Sequence, residues 1–579
     1  MSASNHASVK LPPPIVYTIA GSDSGGGAGI QADLHAIQSF GCHGCSAVTC
    51  LTAQNSCGVT EVHTPPPSFL LAQLQALQSD MPPRSIKVGM LATSELAEAV
   101  GSFLKEISSS SRKPWVVVDP VMISTSGHKL IDDEAKNTMI EKVFPYTDVL
   151  TPNKFEAEAL LGRKLETPVD VEKGAQEILA MGVQSVLIKG GHSLVEKDSQ
   201  ELDVNNNIKT RYSKDINATL GFAQDYFLSR VAPHNGEPRL CDSNRGVWIR
   251  TDRYDSKHTH GTGCTLSSAI ASALALGHQR CEVTAEKQGA TRAIQPLDAC
   301  CLAKAYVTAG IGCGQGLGKG PGPVVHKQGF PSTCQHFPFI ALEPSASDIL
   351  EFRAMKAHSL DNLKAASSGK SLTPVLGSIL PIVDTVEWVE RLSQTPGITD
   401  IQLRIKGETE PAKILQRIQL CQEKCRLAGI RLWINDYWEE AIQGGCFGVH
   451  LGQEDLAKCA DRGGLKALCN ANLALGISTH SYGELAAALA VKPSYISLGP
   501  IFETQSKKVL FDPQGLQILN KWRELIDSEI PLVAIGNIGD ADTAKQVKDA
   551  GADCAAVIGA ITKADNIEAA VAALNEAMS

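Results

Sequence analysis

Short apolar runs recur along the first half of the chain, each separated from the next by a longer, often helix-like segment. The runs cover residues 15–20, 46–51, 86–90, 115–118, 149–150 and 186–188. Short apolar strands that alternate with helices are typical of a parallel sheet covered by helices on both faces. The pattern therefore predicts an α/β, doubly wound sheet domain.

The rhythm changes after residue 371. Eight strand-like runs follow, most of them separated by helical stretches, at residues 375–379, 400–403, 432–434, 448–451, 475–477, 495–498, 532–535 and 554–557. Eight strand–helix repeats in about 200 residues match the size and count of a small (β/α)8 barrel. We therefore expect a C-terminal TIM barrel at residues 371–579.

Three segments lack this periodicity. Residues 1–13 form a polar tail without the apolar stretch of a signal peptide. Residues 201–256 are rich in turn-forming and polar side chains, which predicts an irregular insertion in a sheet domain spanning 14–326. Residues 327–370 are expected to form a linker with one helix at 345–363.

Composition narrows the class of protein. Of the 579 residues 43% are hydrophobic and 20% charged, and the net charge is −9. This argues against a nucleic-acid or anionic-membrane surface, and no apolar segment is long enough to span a bilayer. The 17 cysteines are scattered through apolar runs, as expected for reduced core residues of a cytoplasmic protein. For the Cys42-His-Gly-Cys45 motif, core packing is favoured over zinc or redox chemistry, because no second ligand pair of similar spacing stands out.

The segment Gly261-Thr262-Gly263-Cys264 precedes a helical run of small residues. Glycines at the N-terminus of a helix let backbone N–H groups converge, and the helix adds partial positive charge, so this loop suits a phosphate. The same field is expected to lower the pKa of the Cys264 thiol and make it a usable base. The alternative is a helix cap with a small buried cysteine.

A second glycine cluster follows the first strand, at residues 21–29. Residues 27–32 match a loose dinucleotide-binding pattern, but no acidic residue lies about 20 positions further on, so we discount it. Asp33, on the helix that follows, is placed to reach a small ligand. The alternative is a tight strand–helix turn with a solvated Asp33.

Eight motifs in order resemble those of hydroxymethylpyrimidine (phosphate) kinases, members of the ribokinase superfamily. They begin at residues 20, 29, 53, 88, 119, 151, 189 and 260. The resemblance implies a ribokinase-like fold and ATP-dependent phosphorylation of 4-amino-5-hydroxymethyl-2-methylpyrimidine and then of its monophosphate. It also implies a homo-oligomer, a dimer formed through this domain.

The same resemblance assigns roles to individual residues. Asp33 and Gln54 would hold the nitrogens of the pyrimidine, and Cys264 would be the base for the hydroxymethyl oxygen. The amides of Gly261, Thr262 and Gly263 would stabilise the transferred phosphoryl group. Mg²⁺ and the ATP phosphates would be organised by Asn153 and Glu156, with Lys189 near the nucleotide. Pyridoxal kinase is the alternative in this fold, although Asp33 and Gln54 favour the aminopyrimidine.

Polar side chains also follow the strands of the predicted barrel, where TIM-barrel enzymes carry their active sites. They include Gln402, Arg404, Lys406, Asn435, Asp436, Asp455, Ser478, Thr504, Gln505, Ser506 and Lys507. Two carboxylates on adjacent strand ends, with lysines near, suit a Mg²⁺-bound diphosphate. The alternative is that Asp436 and Asp455 cap the helices that follow them.

These runs resemble thiamine-phosphate synthases, which join hydroxymethylpyrimidine diphosphate to a thiazole phosphate and release diphosphate. The resemblance implies that Asp436 and Asp455 bind Mg²⁺. It places the pyrimidine diphosphate against Gln402, Arg404, Lys406, Asn435, Ser478 and Lys507. It places the thiazole phosphate against Thr504, Gln505, Ser506, Gly536, Asn537, Ile558 and Gly559.

Two positions depart from the family pattern, which usually has a second glycine at 537 and serine at 559. Asparagine tolerates a positive φ, and either residue can still donate a backbone N–H. The chain is therefore expected to be a bifunctional cytoplasmic enzyme that acts on small molecules. The alternative from another class is a non-catalytic sensor of the thiamine pathway, but an intact set of chemical groups argues against it.

Overall fold

The structure is a computed structural model that describes residues 12–110, 112–122, 131–190, 218–231, 245–285, 294–341, 350, 352–369, 373–503 and 513–579. Its named strands form one open sheet, in the first part of the chain, and one closed barrel, in the second. The predicted class, a doubly wound sheet domain followed by a (β/α)8 barrel, is confirmed.

Within the described residues the open sheet has ten strands in the order β10-β9-β8-β7-β6-β5-β4-β1-β2-β3. Strands β1, β2 and β4 to β7 are parallel, as predicted, whereas β3, β8, β9 and β10 are antiparallel to their neighbours. The strands are β1 Ile15–Asp23, β2 His43–Asn55, β3 Gly58–His63, β4 Ser85–Val88, β5 Trp115–Val118, β6 Val149–Leu150, β7 Ser185–Lys189, β8 Ala218–Ser229, β9 Val247–Tyr254 and β10 Phe339–Ala341.

Helices cover both faces of this sheet. In β5, Val117 packs in one apolar cluster with residues of α1, α7 and α8, whereas Val116 and Val118 pack in another with residues of α2, α3, α4 and α6. Successive strand residues point to opposite faces, so both faces are buried. The helices are α1 Gly29–Ser39, α2 Pro67–Asp80, α3 Ser94–Ser108, α4 Asp133–Lys142, α5 Lys154–Leu161, α6 Pro168–Ala180, α7 Thr262–Ala285 and α8 Pro296–Gly312.

The predicted irregular insertion at 201–256 is wrong where the structure describes it, because β8 and β9 lie there and extend the sheet. Both strands bury polar side chains that satisfy one another. Arg250 Nε, for example, donates to Gln224 Oε1 at 3.1 Å. Such pairs break the apolar pattern on which the prediction relied. Residues 201–217 and 232–244 lie outside the described residues.

The predicted linker is also only partly irregular. Strand β10 pairs with β9, and Met355 is buried in an apolar cluster with residues of the barrel strands. The predicted helix at 345–363 is misplaced: residues 352–359 are not helical, and α9 spans Leu360–Ser367. The reason is a cap at Ser359, whose Oγ accepts from Asn362 N at 3.2 Å.

The barrel closes through eight parallel strands in chain order, counted over the described residues. They are β11 Ile379–Val383, β12 Asp400–Leu403, β13 Arg431–Asn435, β14 Gly448–Leu451, β15 Ala474–Thr479, β16 Tyr495–Leu498, β17 Leu532–Ile535 and β18 Cys554–Val557. Only β11 lies clearly away from its predicted position, four residues later.

Helices alternate with these strands and carry the side chains that bury the outer surface of the barrel. They are α10 Val386–Ser393, α11 Pro411–Ala428, α12 Trp438–Gln443, α13 Gln453–Asp461, α14 Gly464–Asn470, α15 Tyr482–Ala490, α16 Gly515–Leu525, α17 Ala541–Asp549, α18 Gly559–Thr562 and α19 Ile567–Ala577. One buried apolar cluster includes residues of both α8 and α15, so the sheet domain and the barrel share a packed interface.

Candidate active sites

A cavity of about 900 Å³ lies where the parallel strands of the sheet end. Ligand sites of open α/β sheets are found at this edge. The cavity is lined by eight of the nine residues predicted for the kinase site: Gln54, Asn153, Glu156, Lys189, Gly261, Thr262, Gly263 and Cys264. Asp33 does not line it.

The glycine loop meets the cavity at the N-terminus of α7, which begins at Thr262. Gly261 has φ 78°, and a Cβ there would lie 1.8 Å from the carbonyl oxygen of Gly27. Only glycine fits this close approach between the two glycine clusters. The first N–H groups of a helix have no partner within the helix, so this end of α7 offers donors to an anion.

Opposite charges meet beside this loop. Lys189 Nζ lies 2.7 Å from Asp119 Oδ1, and a Cβ on Gly263 would lie 3.2 Å from both Lys189 Nζ and Asp119 Oδ2. Asp119 follows β5 directly. We did not predict it as a site residue, although its position at a strand end was the signal that identified others.

Glu156 is held at the cavity wall by a capping box at the start of α5. Its amide donates to Asn153 Oδ1 at 2.9 Å, and its Oε2 accepts from Asn153 N at 2.7 Å. Burial raises the pKa of Glu156 to about 7, and Lys189 opposes that shift. Together Asp119 and Glu156 give two carboxylates on one wall, which fits Mg²⁺, because this ion takes one or two protein carboxylates plus phosphate oxygens and water.

The predicted direct contact of Asp33 with the substrate is wrong in this geometry. Its carboxylate is fully buried and already accepts from Lys87 Nζ at 2.8 and 3.0 Å, Thr18 Oγ1 at 2.6 Å and Ser268 Oγ at 2.8 Å. Lys87, not Asp33, reaches the cavity wall. Burial alone lowers the pKa of a lysine, but the Asp33 carboxylate raises that of Lys87 above its ordinary value, so Lys87 is an ammonium ion.

The expected lowering of the Cys264 pKa is also wrong for this cavity. Burial raises the pKa of the thiol to about 11, and the positive charge of Lys87 opposes the shift without cancelling it. Cys264 and Ser268 are four residues apart on α7, so they share a helix face. Because Ser268 bonds Asp33, the Asp33–Lys87 pair lies against the face that carries Cys264.

Gln54 lies on the β2–β3 hairpin at the other side of the cavity. Its backbone N–H donates to Ser24 Oγ at 2.8 Å, and Ser24 Oγ donates to its carbonyl at 2.7 Å. Asp23 is linked to the glycine loop, since His260 Nε2 lies 3.1 Å from its Oδ2. The first glycine cluster, the hairpin and the Gly261 loop are thus bonded into one wall.

A second polar cluster lies at the carboxyl ends of the barrel strands. Gln402 Nε2 donates to Asn435 Oδ1 at 3.0 Å, and the Asn435 amide in turn donates to Asp436. Asp436 has φ 70°, a left-handed conformation that is uncommon for residues other than glycine. Strained backbone of this kind concentrates at functional sites.

Asp436 and Asp455 are close enough to interact. Burial raises the pKa of Asp436 to about 6, and the charge of Asp455 adds to the shift. A divalent cation would relieve this repulsion, so the pair fits Mg²⁺. In the described ranges no group of three or more His, Cys, Asp or Glu side chains is assembled to hold a metal, so bound phosphates and water would complete either site.

Ser478 is oriented by a histidine that we did not predict. His450 Nε2 lies 2.8 Å from Ser478 Oγ, and Nδ1 lies 2.8 Å from the hydroxyl of Tyr495. Burial lowers the pKa of His450 to about 4, so the ring is neutral and carries one proton. A histidine inside the apolar strand β14 was the available signal.

The structure describes some of the remaining predicted barrel residues but not others. Lys406 is paired with Asp384 at 3.2 Å, and Arg404 is exposed. Asn537 has φ 51°, a left-handed conformation that asparagine tolerates, and its side-chain amide donates to the Glu503 carbonyl at 2.7 Å. Ile558 is 48% exposed, and Gly559 begins α18. Thr504, Gln505, Ser506 and Lys507 lie outside the described residues.

The fold and the two clusters define a two-domain α/β enzyme class, with one candidate active site in the sheet domain and another at the carboxyl ends of the barrel strands. Comparisons with known proteins agree. The phosphomethylpyrimidine kinase family model matches residues 23–219 and 232–325, and the thiamine monophosphate synthase model matches 372–561.

Relatives contain both parts in one chain. A probable thiamine biosynthetic bifunctional enzyme of Oryza sativa subsp. japonica, described as chloroplastic, is 31% identical over 95% of this chain and 86% of its own. A chloroplastic thiamine biosynthetic bifunctional enzyme of Arabidopsis thaliana is 30% identical over 95% of this chain and 90% of its own.

Among solved structures, a pyridoxal kinase from Staphylococcus aureus, in complex with AMP-PCP and pyridoxal, is similar to the first part of the chain. It is 29% identical, with a TM-score of 0.42, over 55% of this chain and 94% of its own.

The chain belongs to the family of thiamine biosynthetic bifunctional enzymes. It has a kinase domain and a thiamine-phosphate synthase domain, and it acts in thiamine biosynthesis. This sets aside the non-catalytic sensor. Membership of these families implies that ATP is used and that Mg²⁺ takes part. None of the described helices has the length and apolar character needed to cross a membrane.

Proposed function

We propose that the cavity of the kinase domain phosphorylates 4-amino-5-hydroxymethyl-2-methylpyrimidine and then its monophosphate, and that the barrel condenses the resulting diphosphate with thiazole phosphate. The observation that carries the kinase half is the convergence on one cavity of the α7 N-terminus, the Asp119–Lys189 pair and Cys264. These are the donors, charges and base that phosphoryl transfer to an alcohol needs.

In this cavity Gln54 is the residue best placed to bind the pyrimidine edge, because its amide can both donate and accept. Asp33 becomes a positioning residue, which fixes the ammonium of Lys87 beneath the substrate. The N–H groups of Gly261, Thr262 and Gly263 would bind the transferred phosphoryl group. Asn153 and Glu156, with Asp119, would hold Mg²⁺, which neutralises charge on the ATP phosphates. Lys189 would contact the same phosphates.

Cys264 is proposed as the base that removes the proton of the hydroxymethyl group. The second acceptor, a phosphate monoester, already carries ionised oxygens and needs no such base. Cys264→Ala should therefore reduce phosphorylation of the alcohol by about 10²-fold or more, and phosphorylation of the monophosphate far less. Equal rates for the variant and the parent protein with the alcohol would refute the assignment.

In the barrel, Asp436 and Asp455 would hold Mg²⁺, which withdraws charge from the leaving diphosphate. Gln402, Arg404, Lys406, Asn435, Ser478 and Lys507 would bind the pyrimidine diphosphate. The thiazole phosphate would be bound by Thr504, Gln505, Ser506, Gly536, Asn537, Ile558 and Gly559. The C–O bond to the diphosphate breaks, the pyrimidine methylene becomes cationic, and the thiazole nitrogen attacks it, so no general base is required.

The Asp436 carboxylate tests the synthase half. Asp436→Ala should abolish Mg²⁺-dependent formation of thiamine phosphate from supplied pyrimidine diphosphate and thiazole phosphate, and it should leave the kinase rates unchanged. Retained Mg²⁺-dependent synthesis would contradict this metal assignment. Pyridoxal remains the competing substrate of the kinase, and kcat/KM for the two alcohols, measured side by side, decides between them.

We further propose a cytoplasmic enzyme that forms a homodimer through the kinase domain. The fifteen cysteines whose side chains the structure describes form no disulfides, as expected in a reducing compartment. Strand β3 lies at the edge of the sheet, and Leu51 and Val62 of its hairpin are 50% and 40% exposed. A second copy could cover this edge. Analytical ultracentrifugation of the parent protein and of Val62→Glu tests the dimer: the parent should sediment as a dimer and the variant as a monomer.

A further inference from the structure

One carboxylate of the kinase domain faces two helix N-termini, one in each domain. Asp298 is the third residue of α8 and is 4% exposed. Its Oδ2 accepts from the backbone N–H of Gln295 at 3.1 Å, which caps its own helix. Its Oδ1 accepts from the backbone N–H of Gly483 at 2.7 Å, in the first turn of barrel helix α15. Negative charge at this end of a helix is stabilising.

The surroundings of this contact are tightly packed. A Cβ on Gly483 would lie 3.0 Å from Leu297 Cδ2, so little space is left between the two helices. Tyr482 is 5% exposed, and its ring lies 6.0 Å from that of Phe330 and 4.9 Å from that of Trp522. The bond between Asp298 and Gly483 is therefore shielded from water.

The first turn of α15 is continuous with the proposed synthase site. Ser478 is the second-last residue of β15, and only three residues separate it from Tyr482, where α15 begins. Thr479 Oγ1 accepts from Trp522 Nε1 at 2.9 Å, and the backbone N–H of His480 donates to Glu484 Oε2 at 2.6 Å. The segment that follows Ser478 is thus bonded on its barrel side by Trp522 and Glu484, and on its kinase side by Asp298.

We propose that Asp298 of the kinase domain is a positioning residue for the synthase reaction. By holding the start of α15, it fixes the turn that presents Ser478 to the pyrimidine diphosphate. The proposal rests on the function proposed above for Ser478. The synthase site then depends on a side chain of the kinase domain. This dependence is a reason for the two activities to share one chain.

Asp170 offers a matched control. It is also the third residue of a helix that has proline at its first position, and it forms the same kind of capping box, with Thr167. Its carboxylate bonds Thr167 within the kinase domain. Asp170→Asn and Asp298→Asn therefore remove the same charge from the same helix position, but only the second change affects a barrel amide.

The test uses the full chain with Asp298→Ala, Asp298→Asn and Asp170→Asn. Asp298→Ala should lower synthase kcat/KM about tenfold, mainly through a higher KM for supplied pyrimidine diphosphate, because the Gly483 N–H is left buried without an acceptor. Asp298→Asn, which keeps an amide oxygen, should recover part of the loss. Kinase kcat/KM should stay within about twofold of the parent in all three variants, as should the synthase rate of Asp170→Asn.

Two activity results would overturn the proposal: a synthase KM within twofold of the parent in Asp298→Ala, or a parallel fall of both activities, which indicates general unfolding. Hydrogen–deuterium exchange of residues 478–485 gives a readout independent of activity, and exchange there should be faster in Asp298→Asn but not in Asp170→Asn. Unchanged exchange in Asp298→Asn would also overturn it. If the parent makes no thiamine phosphate, the proposed function fails, while exchange still decides whether Asp298 holds α15.

Discussion

The buried pair of Asp33 and Lys87 gives the sharpest stability prediction. Their side chains are 0% and 1% exposed, and Nζ lies 2.8 Å from Oδ2. Removing one partner of a buried, hydrogen-bonded ion pair leaves an uncompensated charge and costs about 3–5 kcal/mol. Lys87→Met should therefore destabilise the kinase domain by about that amount. For a domain of about 300 residues this corresponds to a fall in Tm of about 5–8 °C.

The double variant Asp33→Asn, Lys87→Met removes both charges, so it should recover much of the stability lost in Lys87→Met. Kinase activity should not return, because the cavity still lacks the ammonium of Lys87. Differential scanning calorimetry of the full chain measures this, and the kinase transition is the one that ADP raises. The barrel transition should not move and serves as the internal control. A loss below about 1 kcal/mol in Lys87→Met, or a double variant in which the single effects simply add, would refute the coupling.

Three further predictions concern activity. Cys264 acts as a base only when deprotonated, and burial raises its pKa to about 11. The kcat/KM for the alcohol should therefore rise with pH through pH 9, whereas the kcat/KM for the monophosphate should not change. Parallel pH profiles for the two substrates would contradict this. Because the pKa of Asp436 is about 6 and the metal needs its ionised form, the Mg²⁺ affinity measured from synthase rates should fall below pH 6 and level off above pH 7. Gly261→Ala should abolish kinase but not synthase activity, because its Cβ would overlap the Gly27 carbonyl. The control is Gly41→Ala, which has the same φ of 78° but open space around the Cβ, and it should leave the kinase rate nearly unchanged. Similar kinase rates in the two variants would argue against the overlap.

Positions set by local rules could be predicted from the sequence. Asn153 and Lys189 follow or end short apolar strands, and parallel strands place such residues at one edge of a sheet. The same rule predicted Asp436 and Asp455 in the barrel. Eight repeats of a strand and a helix were enough to predict closure, because their number and length leave few other folds.

Features that depend on contacts between distant residues could not be predicted. Asp33 was expected in the substrate site, but Lys87, 54 positions away, takes its carboxylate. Gln224 and Arg250 are polar residues that are buried because they bond each other, so the strands that carry them lack the apolar pattern by which strands are predicted. The bond from Gly483 to Asp298 joins residues 185 positions apart and leaves no periodic trace in the sequence.

One chain is expected to perform both reactions in succession. The direct test supplies the purified full chain with hydroxymethylpyrimidine, ATP, Mg²⁺ and thiazole phosphate, and follows the phosphorus-containing products by 31P NMR. Thiamine phosphate and inorganic diphosphate should appear together, in equal amounts, at the expense of two ATP per pyrimidine. Accumulation of pyrimidine diphosphate without thiamine phosphate, or no consumption of the pyrimidine at all, would contradict the account.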